Sequence, residues 1–350
     1  MEQVNFPSKP FTHRVLIIVG IVTVAIILLF SLGYFAHLLL LVFAGILLAV
    51  FLHGIAEWLS DHVPLSAGWS LALVIFLLLY IIGIGTWLLG PDIANNFDEL
   101  TQIIPQALHQ LQEFIKEHDI ADRLLERFLQ QDKSTLFTQE MFARVAGIFS
   151  SLLGLITGIL IIFVNGIYFS AEPKVYINGA VHLFPKSQRG RARTVLSELG
   201  HALRWWLVGR IASMTVVGVL TWVGLLLLGI PSAAALALLA AALSFIPNLG
   251  PILAAVPAVL AGWLQGPMSA LYVILLYMVI QAIESYLITP LIQRRTVMLP
   301  PAFILTVQLA MGIAFGILGL LLATPFAVVI LVLVQMLYVE DILEEQVNLP

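Results

Sequence analysis

The chain has 350 residues; 61% are apolar, 10% are charged, the formal net charge is −4 and cysteine is absent. Soluble domains carry about 25% charged residues. This composition, with a mean hydropathy of +1.04, excludes a water-soluble globular protein, a disordered chain and a nucleic-acid binder. The lack of cysteine excludes disulfides, thiol catalysis and thiolate-held metals.

Stretches without Asp, Glu, Lys or Arg mark the membrane. Val15 to Ala56 is 42 residues long, enough for two spans of about 20 residues each, with a turn expected near Gly33-Tyr34. Lys9 and Arg14 precede it as they would in a signal peptide. The stretch runs straight into a second span without a small-residue cleavage site, so a first transmembrane helix is expected. His62 to Pro91 holds a third span, near Trp69 to Leu89, and Val145 to Ala171 holds a fourth. Between them, Asp92 to Arg144 has ten acidic and five basic residues. It reads as amphipathic helix, with Ile103, Ala107, Leu108, Leu111, Phe114 and Ile115 on one face. Glu172 to Arg210 has seven basic residues and two acidic ones. Lys and Arg gather on the cytoplasmic side. That rule places this segment, both termini, Arg294 and Arg295 inside, and the acidic segment outside.

Ile211 to Ile283 is a charge-free run of 73 residues that prolines divide. Ile211 to Ile230 is one full span, ended by Gly229-Ile230-Pro231. Pro231 to Pro247 and Pro251 to Gln265 are short for spans, and Asn248-Leu249-Gly250 separates them. Two prolines flanking Asn and Gly do not continue an α-helix. Pro267 to Thr289 is another full span, ending at Pro290. In the last run, Thr296 to Val339, Pro300-Pro301 opens a helix that Gly312 to Gly319 interrupts, before Ala323-Thr324-Pro325 and an apolar stretch to Tyr338. The parity makes each pair a re-entrant hairpin of opposite orientation, an inverted arrangement known among secondary transporters. Complete tilted spans are the other topology open at this point. Broken backbone at membrane depth must face protein or a water-filled cavity.

The expected fold is an all-α integral membrane protein, with about six full spans and two hairpins, or about eight spans by hydropathy. Residues 1–90 form N-terminal spans that act as a scaffold, 91–144 the outer amphipathic segment and 145–171 a further span. Residues 172–210 form the basic segment, 211–339 the transport region and 340–350 an acidic tail.

Glu284 is the one acidic residue deep in the later spans, following Gln281 on the same helix. A carboxylate in lipid is costly and should face the bundle interior. It could bind a cation, carry a proton or accept hydrogen bonds from a substrate; the alternative is an ion pair with Arg294 or Arg295, or a bond that locks a helix. Asn248 stands at the first hairpin tip, either near a polar ligand or as a turn residue tolerant of unusual backbone. Gln308 and Thr324 read as interhelical or carbonyl-satisfying polar groups. Gly312/Gly316 and Gly154/Gly158 are spaced for close helix packing. No phosphate loop, zinc-protease helix or serine-hydrolase elbow is present. The expectation is therefore a non-enzyme without catalytic residues, resident metal or cofactor.

Several of these residues together resemble the autoinducer-2 exporter (AI-2E) family of bacterial membrane proteins. They are Gly229-Ile230-Pro231, Phe245 to Pro251, Gln281 to Ser285 with Thr289-Pro290, Leu299-Pro300-Pro301, and Phe315-Gly316-Ile317-Leu318-Gly319 through Leu322-Ala323-Thr324-Pro325. The resemblance covers roughly Tyr168 to Tyr338. It implies a secondary transporter in the bacterial inner membrane that exports a small polar molecule such as autoinducer-2, with sodium(lithium)/proton antiport as the alternative. It further implies a homo-oligomer, a pentamer, with elevator-like hairpin motion. The transport pathway would then involve Pro247, Asn248, Gly250, Pro251, Gln281, Glu284, Thr289, Pro290, Gln308, Gly316, Gly319, Thr324 and Pro325, with H+ or Na+ as coupling ion. The rival class is a membrane scaffold that transports nothing and binds partners through its outer segment.

Overall fold

The computed structural model of the chain describes residues 11–81, 83–84, 87, 106–107, 110, 152–290 and 300–344. Nearly all of the acidic segment, Arg294, Arg295 and the last six residues lie outside these. Every regular element among the described residues is helical. Among these residues, four helices are long and apolar enough to cross a membrane, or five if one sharply bent pair counts as a single span.

The first element, α1, is one continuous helix, Phe11–His62. The turn expected at Gly33-Tyr34 is absent. A glycine costs a helix only about 1 kcal/mol, too little to break an apolar run with no proline in it. A shorter apolar helix, α2 (Ala67–Ile81), turns back along its end, and Leu52, Ala56, Leu71 and Val74 make a small core between the two. The helix α3 (Leu152–Ala171) runs parallel to α1. Gly158 meets Leu41, Gly45 meets Asn165 and Gly166 meets Leu48, and a Cβ on either Gly45 or Gly166 would come within 2.7 Å of its neighbour. Gly158 therefore packs as its spacing predicts. At Glu172-Pro173 the chain bends by 88° into α4 (Pro173–His182).

After a single 3-10 turn, α5 (Arg189–Leu227) runs 39 residues without a break, about 58 Å at 1.5 Å per residue. The expected separation between a basic segment and a span starting at Ile211 does not exist, because nothing in this stretch breaks a helix. The lower half of α5 packs Val195, Leu203 and Leu207 against Leu40 and Leu47 of α1 and Leu322, Ala327 and Val332. Its upper half packs Val217 and Leu225 against an alanine-rich set that includes Ala235, Ala254, Ala258 and Ala261.

That alanine-rich set belongs to the first hairpin, α6 (Ala233–Leu243) and α7 (Leu249–Trp263). Its turn falls where the two prolines predict it. Asn248 takes φ +65°, and Gly250 is so close to the carbonyl of Leu243 that a Cβ there would overlap it. The helix α8 (Pro267–Ile283) follows and continues through a π-helical turn, Glu284–Ile288.

The last element, α9 (Pro301–Leu333), folds on itself at Gly316, where φ is 63° and ψ −143°. Only glycine occupies that backbone region without strain. In a straight helix residues eight apart lie about 12 Å from one another, yet a Cβ on Gly319 would overlap the carbonyl of Met311, and Gly312 lies against Leu320. This is the second hairpin. Gly316 is its tip rather than half of a packing pair with Gly312. Beyond Leu333 the chain continues as π-helix to Glu340. There Arg191 of α5 clasps Glu340 at 2.7 Å, Asp341 at 3.0 Å and the Met336 carbonyl at 2.7 Å.

Candidate functional site

The charge-free run of 73 residues is bounded by Arg210 and Glu284, and the fold brings these two charges together. Helix α5 ascends, the first hairpin intervenes and α8 returns beside α5. Arg210 Nη1 lies 3.5 Å from Glu284 Oε1, with side-chain exposures of 11% and 6%. That distance is long for a hydrogen bond but within ion-pair reach. Ser213, one turn along α5, donates to the same oxygen at 2.6 Å. Across the π-helical turn that begins at Glu284, its backbone carbonyl accepts both the Thr289 N–H and the Thr289 hydroxyl, the latter at 2.8 Å.

The pair also reaches the first hairpin. Arg210 Nε donates to the Phe245 carbonyl at 3.2 Å. Phe245 stacks edge-on against Trp206, one turn below Arg210 on α5, at 5.7 Å between ring centres. Two residues further round the same tip, the Pro247 carbonyl accepts a bond of 3.0 Å from Gln308 Nε2 on the second hairpin. The tip carbonyls that a turn leaves outside a helix ladder are therefore held from two sides, by Arg210 of α5 and by Gln308 of α9. Those bonds tie the first hairpin to α5 and the second hairpin to the first.

Several buried polar atoms have no partner: Arg210 Nη2, Gln308 Oε1, Ser244 Oγ next to Phe245, and Thr324 Oγ1 on the second arm of α9. Gln308 is fully buried. Buried polar groups are nearly always paired with protein or water.

The expected site residues sort as follows. Pro247 and Gln308 meet at the tip, Glu284 is linked to it only through Arg210, and Gly250 and Gly319 are buried where the two arms of each hairpin approach each other. Thr324 and Pro325 are buried in the second arm. Pro251 is half-buried in the first turn of α7, and Asn248 and Gly316 are exposed at the two tips. Gln281 turns aside to Ser285 at 3.2 Å, and Pro290 is exposed beyond the π-helical turn. Arg210, Ser213 and the Phe245 carbonyl were not expected. The signal for Arg210 was its place at the edge of the longest charge-free run, opposite Glu284. No group of three or more His, Cys, Asp or Glu among the described residues could hold a metal ion.

Comparison with known proteins agrees with this architecture. Residues 16–338 match the family described as "AI-2E family transporter". The chain is similar to YueF of Bacillus subtilis, 24% identical over 82% of this chain and 80% of that protein. It is also similar to YhhT of Escherichia coli, 23% identical over 67% of each, and to a shorter stretch of YrrI of Bacillus subtilis, 29% identical over 43% of each. All three are named as candidate transport proteins. The family match covers nearly the whole helical fold, including both hairpins and the buried pair, and the chain is a multi-pass membrane protein that belongs to the AI-2E transporter family.

Proposed function

We propose that this protein is a secondary transporter that exports a small polar organic molecule of the autoinducer-2 type, driven by an ion gradient. The observation that carries this reading is the buried Arg210–Glu284–Ser213 cluster bonded directly to a hairpin tip. An ionisable pair at that depth is costly to keep, and here it is tied to an element built to move. Protonation of Glu284, or a cation at its carboxylate, removes the counter-charge of Arg210. The guanidinium then rearranges, and its bond to the Phe245 carbonyl loosens. The tip is released, the substrate gains access between the hairpins, and the hairpin unit slides against the scaffold of α1 to α3 as an elevator. The basic start of α5, and the C-terminal turn that Arg191 holds beside it, lie on the cytoplasmic side of a bacterial inner membrane, and the chains assemble as a homo-oligomer.

Flux in proteoliposomes tests this. Vesicles are loaded with autoinducer-2, a proton or sodium gradient is imposed, and the native chain is compared with Glu284→Gln. Gradient-dependent efflux that the variant lacks supports the proposal. If autoinducer-2 stays in place while internal pH responds to sodium, the chain is an antiporter. Efflux that is equal in the variant removes Glu284 from the coupling step.

A further inference from the structure

A cavity of about 280 Å³ lies between α1 and α5, apart from the hairpin tips. Val50, Phe51, Ile55, Leu207 and Val208 form its apolar wall, and Arg204 stands at its edge. Its size is close to the lower bound of about 300 Å³ for small-ligand sites. The two helices run in opposite senses here, so the apolar residues of both lie on the same side of Arg204. On the other side, the apolar stretch of α1 gives way to Glu57, Ser60, Asp61 and His62. This is the pattern of a helix leaving hydrocarbon for the headgroup layer, and Trp58 at that level suits it.

The mouth carries one fixed charge of each sign. Arg204 Nη1 bonds Glu57 Oε2 at 2.7 Å, Arg204 Nη2 bonds the Gly54 carbonyl at 2.9 Å, and Glu57 Oε1 lies 3.2 Å from His53 Nε2. The Arg204 and Glu57 side chains are 37% and 50% exposed, and each keeps bonding capacity beyond these contacts, since a guanidinium has five N–H donors and a carboxylate about four acceptor positions. Gly54 holds the arrangement open, because a Cβ there would stand 2.9 Å from Arg204 Nε.

We infer that this groove is a binding site for one phospholipid with a primary-ammonium headgroup, such as phosphatidylethanolamine. The phosphate lies on Arg204, the ammonium on Glu57, and one acyl chain fills the apolar cavity. A fixed cation beside a fixed anion complements a zwitterion better than a purely anionic lipid. A quaternary ammonium, as in phosphatidylcholine, has no N–H to give the carboxylate. The site is independent of the transport reading.

Native mass spectrometry of the full chain, after incubation with equal amounts of phosphatidylethanolamine, phosphatidylcholine and phosphatidylglycerol of matched acyl chains, reads the site directly. The expected result is one retained phosphatidylethanolamine per chain, enriched about tenfold over the other two, the factor of one charge-assisted hydrogen bond. Glu57→Gln abolishes the preference over phosphatidylcholine. Val208→Trp fills the groove without touching its mouth, and it removes the retained lipid of every headgroup. Helical content and monodisperse elution confirm that both variants fold. Equal retention of all three lipids overturns the inference, as does retention that Val208→Trp leaves unchanged. Efficient disulfide cross-linking of Val208→Cys chains in membranes also overturns it, because a second copy would then cover the groove.

Discussion

Arg210 and Glu284 should each depend on the other for stability. Both side chains are almost wholly buried, so removing one leaves an uncompensated charge in the protein interior, at a cost of about 3–5 kcal/mol. Arg210→Met also releases the Phe245 carbonyl, and Glu284→Leu also strands the Ser213 hydroxyl, each adding about 1–3 kcal/mol if left unpaired. At about 2–4 °C per kcal/mol, either single replacement should lower the unfolding midpoint by at least about 6 °C. The double variant Arg210→Met/Glu284→Leu removes both charges together and should be no less stable than either single variant. The seven tryptophans provide the signal: intrinsic fluorescence of the detergent-solubilised chain during heating, read as a double-mutant cycle. If the two single effects simply add in the double variant, the charges do not support each other and the argument fails.

Four further outcomes are expected. Gly316→Ala places a side chain at φ +63° and should cost about 1–3 kcal/mol, measured as a lowered unfolding midpoint; a midpoint equal to native would mean that the tip adopts another backbone. Gln308→Leu removes one of the two donors to the Pro247 carbonyl, leaving the Leu249 N–H, and should raise flux in the absence of a gradient as the tip loosens, with about 0.5–1.5 kcal/mol lost in stability; tight coupling in this variant would deny Gln308 a role at the tip. Asn248→Gly relieves a strained non-glycine φ and should be neutral or stabilising by up to about 1 kcal/mol, whereas a loss of flux at unchanged stability would give the Asn248 side chain a direct role. Cysteines placed at Asn248 and at Gly316, both exposed, should react with polar thiol reagents in membranes, and the absence of native cysteine makes the signal specific. Two inert positions would favour a packing role for the hairpins.

The hairpins were legible because proline and glycine act locally: Pro247, Pro251 and Gly316 forbid or permit backbone whatever surrounds them. Their depth against one another was not. The bond from Gln308 to the Pro247 carbonyl joins residues 61 positions apart, and no local pattern encodes it. Glu284 stood out because a carboxylate among apolar residues is anomalous by itself. Its partner was sought in Arg294 and Arg295, neighbours along the chain, although Arg210 is the one that meets it across two helices. The continuous helix α1 was misread for the opposite reason: Gly33 has the chemistry of a break, but the apolar residues around it keep the helix intact.

The length of α5 has a mechanical consequence. Its 39 residues extend about 58 Å, roughly twice the thickness of a hydrocarbon layer. Its far end is clasped by Arg191 to the turn around Glu340 and Asp341, while its middle grips the tip of the first hairpin through Arg210. A rod pinned at Arg210 converts small angles into large displacements at its end. A tilt of about 10° would carry Arg191, about 28 Å away along the axis, sideways by about 5 Å. On the proposed mechanism, a rearrangement of the Arg210 guanidinium that tilted α5 by that angle would move the Arg191 clasp by about the length of a helical turn.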